Sequence, residues 1–163
     1  MVVLDPYSGV GTTIIAAEEV GTRAIGIEAH PFIHRVAKCK SNCNVETEEL
    51  RSAANEVLSI GLSNPRITPE SKTPDLLIKA YPEPEILHQL WGLIDALDKK
   101  KYSEEIRGLI ELAIICCVRP CSPVGTANWR YILPNKRKSK TIDVPTCFNA
   151  VINQFCLSLI HIS

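Results

Sequence analysis

A short glycine-rich segment near the start of the chain constrains the fold more than any other feature. Residues 8–13, Ser-Gly-Val-Gly-Thr-Thr, follow an apolar run at residues 2–4, and a second apolar run occupies residues 24–27. Both runs are typical of buried strands, and the residues between the glycine segment and Gly21 suit a helix that ends at that glycine. Strand, glycine loop, helix and strand together predict a βαβ unit with parallel strands and a right-handed crossover.

The residues of this unit predict a ligand site at the ends of its two strands. Gly9 and Gly11 allow the backbone to approach a ligand closely, and the N–H groups at the start of the following helix suit a carboxylate or a phosphate. Glu28 follows the second strand, where a carboxylate can accept two hydrogen bonds from a ribose diol. These features indicate a cofactor that contains an adenine nucleoside.

Other kinds of glycine loop fit the segment less well. A P-loop requires a Gly-Lys-Ser/Thr ending, which the sequence lacks. A dinucleotide-binding loop requires a third glycine where Ile14 stands, so that pattern is only partly met. A glycine-rich turn that binds no ligand is the remaining alternative.

The segment Asp5-Pro6-Tyr7-Ser8-Gly9-Val10-Gly11-Thr12-Thr13 resembles the first motif of S-adenosylmethionine-dependent DNA amino-methyltransferases, commonly Asp-Pro-Phe/Tyr-x-Gly-x-Gly-Thr-Thr. The second motif of that family is an acidic residue after Ala-Ile-Gly-Ile, and Glu28 occupies that place. The resemblance implies an α/β chain with an incomplete Rossmann-like methyltransferase fold, in which short parallel strands and flanking helices precede a largely helical region. It implies a fragment of a site-specific DNA methyltransferase that methylates an exocyclic amino group of adenine or cytosine.

Two alternatives to this function stay open. An RNA methyltransferase would share the cofactor motif, and a nucleotide- or dinucleotide-binding module would use a similar unit without transferring any group. The missing third glycine and the Asp5-Pro6-Tyr7 opening disfavour the second alternative. The resemblance leaves open whether a restriction endonuclease is a partner and which base is the target.

The resemblance also implies roles for individual residues. Asp5 and the backbone of residues 7–11 would border the methionine part of S-adenosylmethionine, and the two threonines would cap the helix and bind the carboxylate of the cofactor. Glu28 would hold the ribose, with Ala29 and Phe32 near the adenine. The implied cofactor-binding residues are Asp5, Pro6, Tyr7, Ser8, Gly9, Gly11, Thr12, Thr13, Glu28 and Ala29.

The catalytic loop of such enzymes is absent from the sequence. In that family the loop is Asp, Asn or Ser, then Pro-Pro, then an aromatic residue, and the 163 residues contain no Pro-Pro pair. Asp5-Pro6-Tyr7 is similar but precedes the glycine loop and belongs to the cofactor site. In the family order that begins with the glycine loop, the catalytic loop would follow the last residue present. A sheet of only two strands would also leave an open edge and an uncovered apolar face.

The chain divides by pattern into four segments. Residues 1–45 are the cofactor-binding unit, with a second helix from Pro31. Residues 46–119 form a helical region, with a charged surface helix at 46–58, a loop at 61–74, a helix at 84–97 and another helix capped by Ser103. Residues 120–156 are a loop-rich basic segment and a helix, with a long loop at 120–145. Residues 157–163 are predicted to be a non-native tail.

The tail and the basic segment each allow two interpretations. Residues 157–163, Leu-Ser-Leu-Ile-His-Ile-Ser, resemble translated sequencing-adapter read-through, and the alternative is the genuine end of an amphipathic helix. The basic cluster at residues 136–140 lies near two aromatic residues, and either contacts DNA phosphates or is a solvated loop. The residues predicted to contact DNA are Arg130, Lys136, Arg137 and Lys138.

Composition narrows the class of protein in two further ways. The 18 basic and 18 acidic side chains balance, so any contact with nucleic acid must come from local clusters. The seven cysteines are odd in number and include no Cys-x-x-Cys pair, which favours free thiols over disulfides or a zinc site. Together with the absence of an apolar stretch long enough for a membrane, this pattern predicts a soluble protein of the reducing cytoplasm with no bound metal.

Overall fold

The structure is a computed structural model that describes residues 1–41, 45–63, 73–126 and 132–162. Within these ranges, no helix is sufficiently long and apolar to cross a membrane. The elements follow in the order β1 (Val2–Asp5), α1 (Thr12–Glu19), β2 (Arg23–Gly26), α2 (Pro31–Ser41), α3 (Thr47–Ser63), α4 (Asp75–Ala80), α5 (Pro84–Lys99), α6 (Glu104–Cys121), β3 (Val124–Thr126), β4 (Ile132–Arg137) and α7 (Val144–Ile162).

The first three elements form the predicted βαβ arrangement. β1 and β2 pair in parallel, with Val2 opposite Arg23 and Asp5 opposite Gly26, and α1 connects them. Gly21 has a φ of 66° and donates its N–H to the carbonyl of Glu18 at 2.9 Å, which ends α1 as predicted. The parallel pairing and the position of the helix are therefore confirmed, whereas the handedness of the crossover stays a prediction.

The prediction that both strands are buried is wrong. Only one face of this two-stranded sheet is covered, because α1 packs against it and the alternating side chains of β1 point to opposite faces. The uncovered face carries four large apolar side chains that are more than half exposed: Val2, Leu4, Ile25 and Ile27. The uncovered apolar face expected for a sheet of two strands is thus present among the described residues.

The hydrophobic core lies in the helical region. α3, α5, α6 and α7 pack together, and their fully buried side chains include Leu50, Leu93, Ile110 and Phe148. The helices predicted at 84–97 and after Ser103 are confirmed, and the hydroxyl of Ser103 accepts the N–H of Ile106 at 3.3 Å. The core of the chain is therefore helical, and the βαβ unit is attached to it.

A helix is present where a charged surface helix was predicted at 46–58, but the prediction that it lies on the surface is wrong. α3 has Glu48 and Glu49 in its first turn, and one face of the helix from Leu50 onward is buried in the core. The buried residues recur at helical spacing: Leu50, Ala53, Ala54, Val57 and Gly61. The helix also continues to Ser63, and residues 64–72 of the predicted loop lie outside the described residues.

Gly61 allows α3 to pack closely against α5, and a side chain there is expected to destabilise the core. A Cβ atom at this position would lie 2.8 Å from the backbone nitrogen of Leu93 and 2.9 Å from the carbonyl carbon of Gly92. Because backbone atoms cannot rotate away, we expect Gly61→Ala to lower the free energy of unfolding by about 1–3 kcal/mol. Urea denaturation followed by circular dichroism measures this change.

The matched control for Gly61→Ala is Ser52→Ala on the exposed face of the same helix. Alanine favours helix over both glycine and serine, so the control should be neutral or slightly stabilising. If Gly61→Ala were as stable as the control variant, the close packing of α3 against α5 would be wrong.

The long loop predicted at 120–145 is also wrong. α6 continues through Pro120 to Cys121, and β3 pairs with β4 as an antiparallel hairpin with an irregular register between Val124 and Gly125. Pro134 lies within β4, where the absence of an N–H is tolerated because a strand of a two-stranded hairpin has an unpaired edge. Of the four prolines that suggested a loop, Pro120 and Pro145 lie at helix ends and Pro134 lies in β4, whereas Pro123 lies between α6 and β3.

The last helix includes most of the predicted tail. α7 spans Val144–Ile162, and the carboxylate of Asp143 accepts the N–H of Thr146 at 2.9 Å at its start. Leu159 is buried within the core cluster, which is the burial that the end of a genuine amphipathic helix would have. The packing does not test where residues 157–163 come from, so their non-native origin stays a prediction.

Candidate cofactor-binding site

Backbone hydrogen bonds hold the glycine loop against the end of β2. The N–H of Ile27 donates to the carbonyl of Asp5 at 2.9 Å, and the N–H of Ser8 donates to the carbonyl of Ile27 at 3.0 Å. Glu28 is the next residue, so the loop after β1 and the acidic residue after β2 lie at the same edge of the sheet. Parallel strands place their carboxyl ends together in this way, and cofactor sites of doubly wound sheets lie at that edge.

The two glycines of the loop have different surroundings. Gly9 has a φ of 52°, and no heavy atom lies within 4 Å of the position its Cβ would occupy. Gly11 has a φ of 82°, and its Cβ would lie 3.2 Å from the Cβ of Ala37 on α2. Both positions require a left-handed backbone that favours glycine. Gly9 therefore leaves open space where a ligand can approach, whereas Gly11 allows α2 to pack closely.

The carboxylate of Asp5 accepts the N–H of Tyr7 at its Oδ1, at 3.1 Å. Hydrogen bonding by the Thr13 side chain and then by this N–H lowers the pKa of the Asp5 carboxyl, because both favour its ionised form. Pro6 and Tyr7 are exposed, so this part of the loop presents its side chains to solvent.

The two threonines do not cap α1, contrary to the role the resemblance implied for them. Gly11 is the N-cap residue, and no side chain provides a capping hydrogen bond. Thr12 and Thr13 are already the first two residues of the helix, so their hydroxyl groups lie beyond the capping position. Whether either threonine binds the carboxylate of a cofactor stays a prediction.

Glu28 forms a turn that leads into α2. Its Oε1 accepts the N–H of His30 at 2.7 Å, one residue before α2 begins at Pro31. A carboxylate has about four acceptor sites, so this single bond leaves capacity for the two hydroxyl groups of a ribose. Ala29 is exposed, and Phe32 is 39% exposed with its ring edge-on to that of His30 at 6.5 Å. An exposed apolar surface therefore adjoins Glu28, as a site for adenine requires.

A cavity of about 190 Å³ lies behind the loop and is bordered by Ser8, Gly11 and residues of α2. Neither Asp5 nor Glu28 lines it, so it is separate from the edge that these carboxylates share. The surface beside Asp5, Gly9 and Glu28 is open to solvent in the part of the chain that the structure describes. Among the described residues, no group of histidine, cysteine or acidic side chains could hold a metal ion.

Two of the predicted DNA-contacting residues are engaged within the chain. Nη1 of Arg137 lies 2.7 Å from Oε1 of Glu83, and Nζ of Lys138 donates to the carbonyl of Arg119 at 2.6 Å. Burial is the main cause that lowers the pKa of Lys138. Lys136 is exposed, and Arg130 with its aromatic neighbours lies outside the described residues. Arg137 and Lys138 therefore attach the hairpin to the helical region.

Ion pairs that sequence patterns did not predict join α2 to α6 of the helical core. Arg35 pairs with Glu111, and Nζ of Lys38 lies 2.5 Å from Oε1 of Glu104. All four side chains are at least one-third exposed, so each pair adds little stability. Because the partners lie far apart in sequence, no local spacing could have indicated them.

Comparison with protein families finds a similarity in the part of the chain that carries this site. Residues 1–39 match the family model described as DNA methylase, and this range includes the glycine loop, Glu28 and most of α2. The resemblance drawn from the two motifs is thereby confirmed over these residues. Comparisons with curated proteins and with solved structures give no match.

Proposed function

We propose that the βαβ unit is the S-adenosylmethionine-binding part of a site-specific DNA amino-methyltransferase. The observation that carries the proposal is the match of residues 1–39 to the DNA methylase family, because that range contains both cofactor motifs. The unit would be an incomplete form of the Rossmann-like arrangement of such enzymes, and a largely helical region follows it. S-adenosylmethionine supplies the methyl group when it is bound.

The residues at the sheet edge fit this cofactor by their chemistry. Asp5 offers an ionised carboxylate for the ammonium group of the methionine part, and Gly9 leaves open space for a ligand to lie on the loop. Glu28 retains acceptor capacity for the ribose, and Ala29 and Phe32 offer an exposed surface for the adenine. Pro6, Tyr7, Ser8, Gly11, Thr12 and Thr13 complete the proposed cofactor-binding set.

DNA is the proposed substrate of the parent activity. The family match supports it, and the basic segment offers the exposed Lys136 for a phosphate. Arg137 and Lys138 would contact DNA only if they gave up their bonds to Glu83 and to the α6 backbone. The basic segment is therefore a weaker part of the proposal than the cofactor site.

Replacing Glu28 with alanine is expected to weaken the binding of S-adenosylmethionine about ten- to a hundredfold. The variant loses the acceptor proposed for the ribose hydroxyl groups, and hydrogen bonds to a charged group contribute about 1.5–3 kcal/mol. It also loses the hydrogen bond that the N–H of His30 donates to Oε1 of Glu28. Isothermal titration calorimetry of the wild-type and variant chains measures the change.

Glu19→Ala is the matched control for Glu28→Ala, because Glu19 is exposed at the far end of α1. We expect this control to bind S-adenosylmethionine as the wild type does. Equal affinity of Glu28→Ala and Glu19→Ala would contradict the ribose role. Tighter binding of a nicotinamide dinucleotide than of S-adenosylmethionine would contradict the proposed cofactor itself.

A further inference from the structure

We propose that a cavity beside α6 is a binding site for a small, neutral and apolar molecule of two or three rings. The cavity has a volume of about 410 Å³ and is bordered by residues of four helices, α1, α2, α6 and α7. We call it the α6 cavity. None of the residues that line it belongs to the proposed cofactor-binding set, so the inference does not depend on the proposed function.

One side of α6 borders the cavity. Leu109, Leu112 and Cys116 follow one another at intervals of three and four residues, which places them on the same side of the helix. α2 and α7 both pack against α6, and residues of both helices also line the cavity. The α6 cavity therefore lies over this side of α6, between α2 and α7.

The flanking helices present apolar side chains to the cavity at the same kind of spacing. α2 contributes Val36 and Cys39, and α7 contributes Phe155 and Leu159. Ile15 of α1 lines the cavity as well. These five side chains are buried or partly buried, so packing holds them in place. A cavity whose lining is fixed in this way resembles the preformed, mostly apolar sites that bind small molecules.

The size of the α6 cavity indicates the size of its ligand. An apolar cavity of about 150 Å³ binds one benzene ring and otherwise stays free of water. The α6 cavity, at about 410 Å³, is between two and three times as large and lies in the range of about 300–1,000 Å³ that is usual for small-molecule sites. Its volume therefore suits a molecule of two or three rings.

The lining favours a neutral ligand. The lining that the structure describes includes a single charged residue, Lys40, and Lys40 is exposed. The hydroxyl of Ser158 already donates to the carbonyl of Gln154 at 3.1 Å. Burial is the main cause that raises the pKa of the Cys39 and Cys116 thiols, which keeps both neutral. A charged group among these side chains would lose its hydration for little in return, whereas a neutral apolar molecule would bury apolar surface.

The first experiment compares two probes that differ in charge. N-phenyl-1-naphthylamine is neutral and becomes fluorescent in apolar surroundings, and 1-anilinonaphthalene-8-sulfonate has the same rings with an added sulfonate. Fluorescence titration of the full 163-residue chain should show saturable binding of the neutral probe, at least about tenfold tighter than that of the anionic one. Equal or tighter binding of the anionic probe would overturn the neutral class of ligand.

The second experiment fills the cavity from two sides. Cys116→Trp on α6 and Ser158→Phe on α7 place large side chains at exposed positions of the lining, where they should leave the helical fold intact by circular dichroism. Each should weaken binding of the neutral probe at least about tenfold, because the added rings occupy the space of the ligand. Cys116→Ser, which keeps the size of the side chain, should bind the probe as the wild type does.

Leu4→Lys tests the other apolar surface to which the probe could bind. Leu4 is 63% exposed on the uncovered face of the sheet and does not line the α6 cavity. We expect this variant to bind the neutral probe as tightly as the wild type. Loss of binding in Leu4→Lys, with binding retained in Cys116→Trp, would assign the probe to the sheet and overturn the inference.

The third experiment locates the bound probe directly. Cys116 is exposed and lines the cavity, so iodoacetamide should alkylate it, and mass spectrometry of its peptide gives the rate. At a probe concentration four times the dissociation constant, that rate should fall about fivefold. The rate at Cys147, which is buried outside the cavity, should not change. Bound probe without protection of Cys116 would overturn the site, and so would a dimer in sedimentation that Cys116→Trp converts to a monomer, because a second copy would then occupy the cavity.

Discussion

Replacing Phe148 with alanine is expected to lower the free energy of unfolding by about 3–5 kcal/mol. The ring is 0% exposed, and it lies in α7 within the core cluster that α7 shares with α3, α5 and α6. Removal of the ring leaves a cavity that the closely packed helices cannot fill. The lost hydrophobic burial of the ring and its lost van der Waals contacts therefore both lower the free energy of unfolding. Since single domains are stable by only about 5–15 kcal/mol, this one change removes a large share of the total.

Urea denaturation followed by far-ultraviolet circular dichroism measures the effect of Phe148→Ala. Phe32→Ala is the matched control, because its ring is 39% exposed at the start of α2. We expect the control substitution to lower the free energy of unfolding by less than about 1 kcal/mol, as a surface substitution usually does. Equal losses for the two variants would show that α7 does not form part of the core, and the helical arrangement described above would be wrong.

Local sequence predicted the parts of the fold that depend on neighbouring residues. The glycine loop, the end of α1 at Gly21 and the start of α2 at Pro31 all follow from residue types with specific backbone preferences. The cap at Ser103 and the apolar spacing of α5 and α6 were predictable for the same reason. Each of these features is determined by residues that lie within about one helical turn of it in the sequence.

Burial was harder to predict than secondary structure. The side chains of Leu4 and Ile25 look like those of a buried strand, but whether they are buried depends on what covers the other face of the sheet. In α3, Glu48 and Glu49 in the first turn obscured an apolar face that begins at Leu50. Composition over a window averages the two faces of a helix, whereas packing distinguishes them.

The hairpin and the start of α1 show a second limit. Pro134 disfavours a strand at most positions, but a two-stranded hairpin has unpaired edges that tolerate a residue without an N–H, and local sequence does not show which edge is unpaired. The motif implied that Thr13 caps α1, whereas the left-handed turn at Gly11 makes Gly11 the N-cap residue.

The 163-residue chain by itself is expected to transfer no methyl group to DNA, even where it binds S-adenosylmethionine. An exocyclic amino group of a base has its lone pair delocalised into the ring, so the nitrogen is a poor nucleophile. Two acceptors must bind its hydrogens to localise that lone pair, and an aromatic ring must support the base outside the duplex. The Pro-Pro-aromatic loop that provides these groups is absent from the sequence.

Asp5-Pro6-Tyr7 is the segment most similar to that missing loop, and its geometry argues against a catalytic role. The Asp5 carboxylate already accepts the N–H of Tyr7, and Asp5 lies at the proposed cofactor edge. The Tyr7 side chain is 90% exposed, so no surrounding residues hold its ring as a platform for a flipped base. A group that binds the cofactor, as proposed for Asp5, could not also occupy the place of the methyl acceptor.

A radiolabelled methyl-transfer assay decides between these outcomes. The chain is incubated with duplex DNA and S-adenosylmethionine after calorimetry has established that it binds the cofactor, and a complete DNA amino-methyltransferase serves as the positive control. We expect incorporation no greater than that of the heat-inactivated chain, because bound cofactor without acceptors provides no stabilisation of the transition state. Incorporation above that background, lost in an Asp5→Ala variant, would mean that Asp5-Pro6-Tyr7 does serve as the acceptor loop and that its assignment to the cofactor site is wrong.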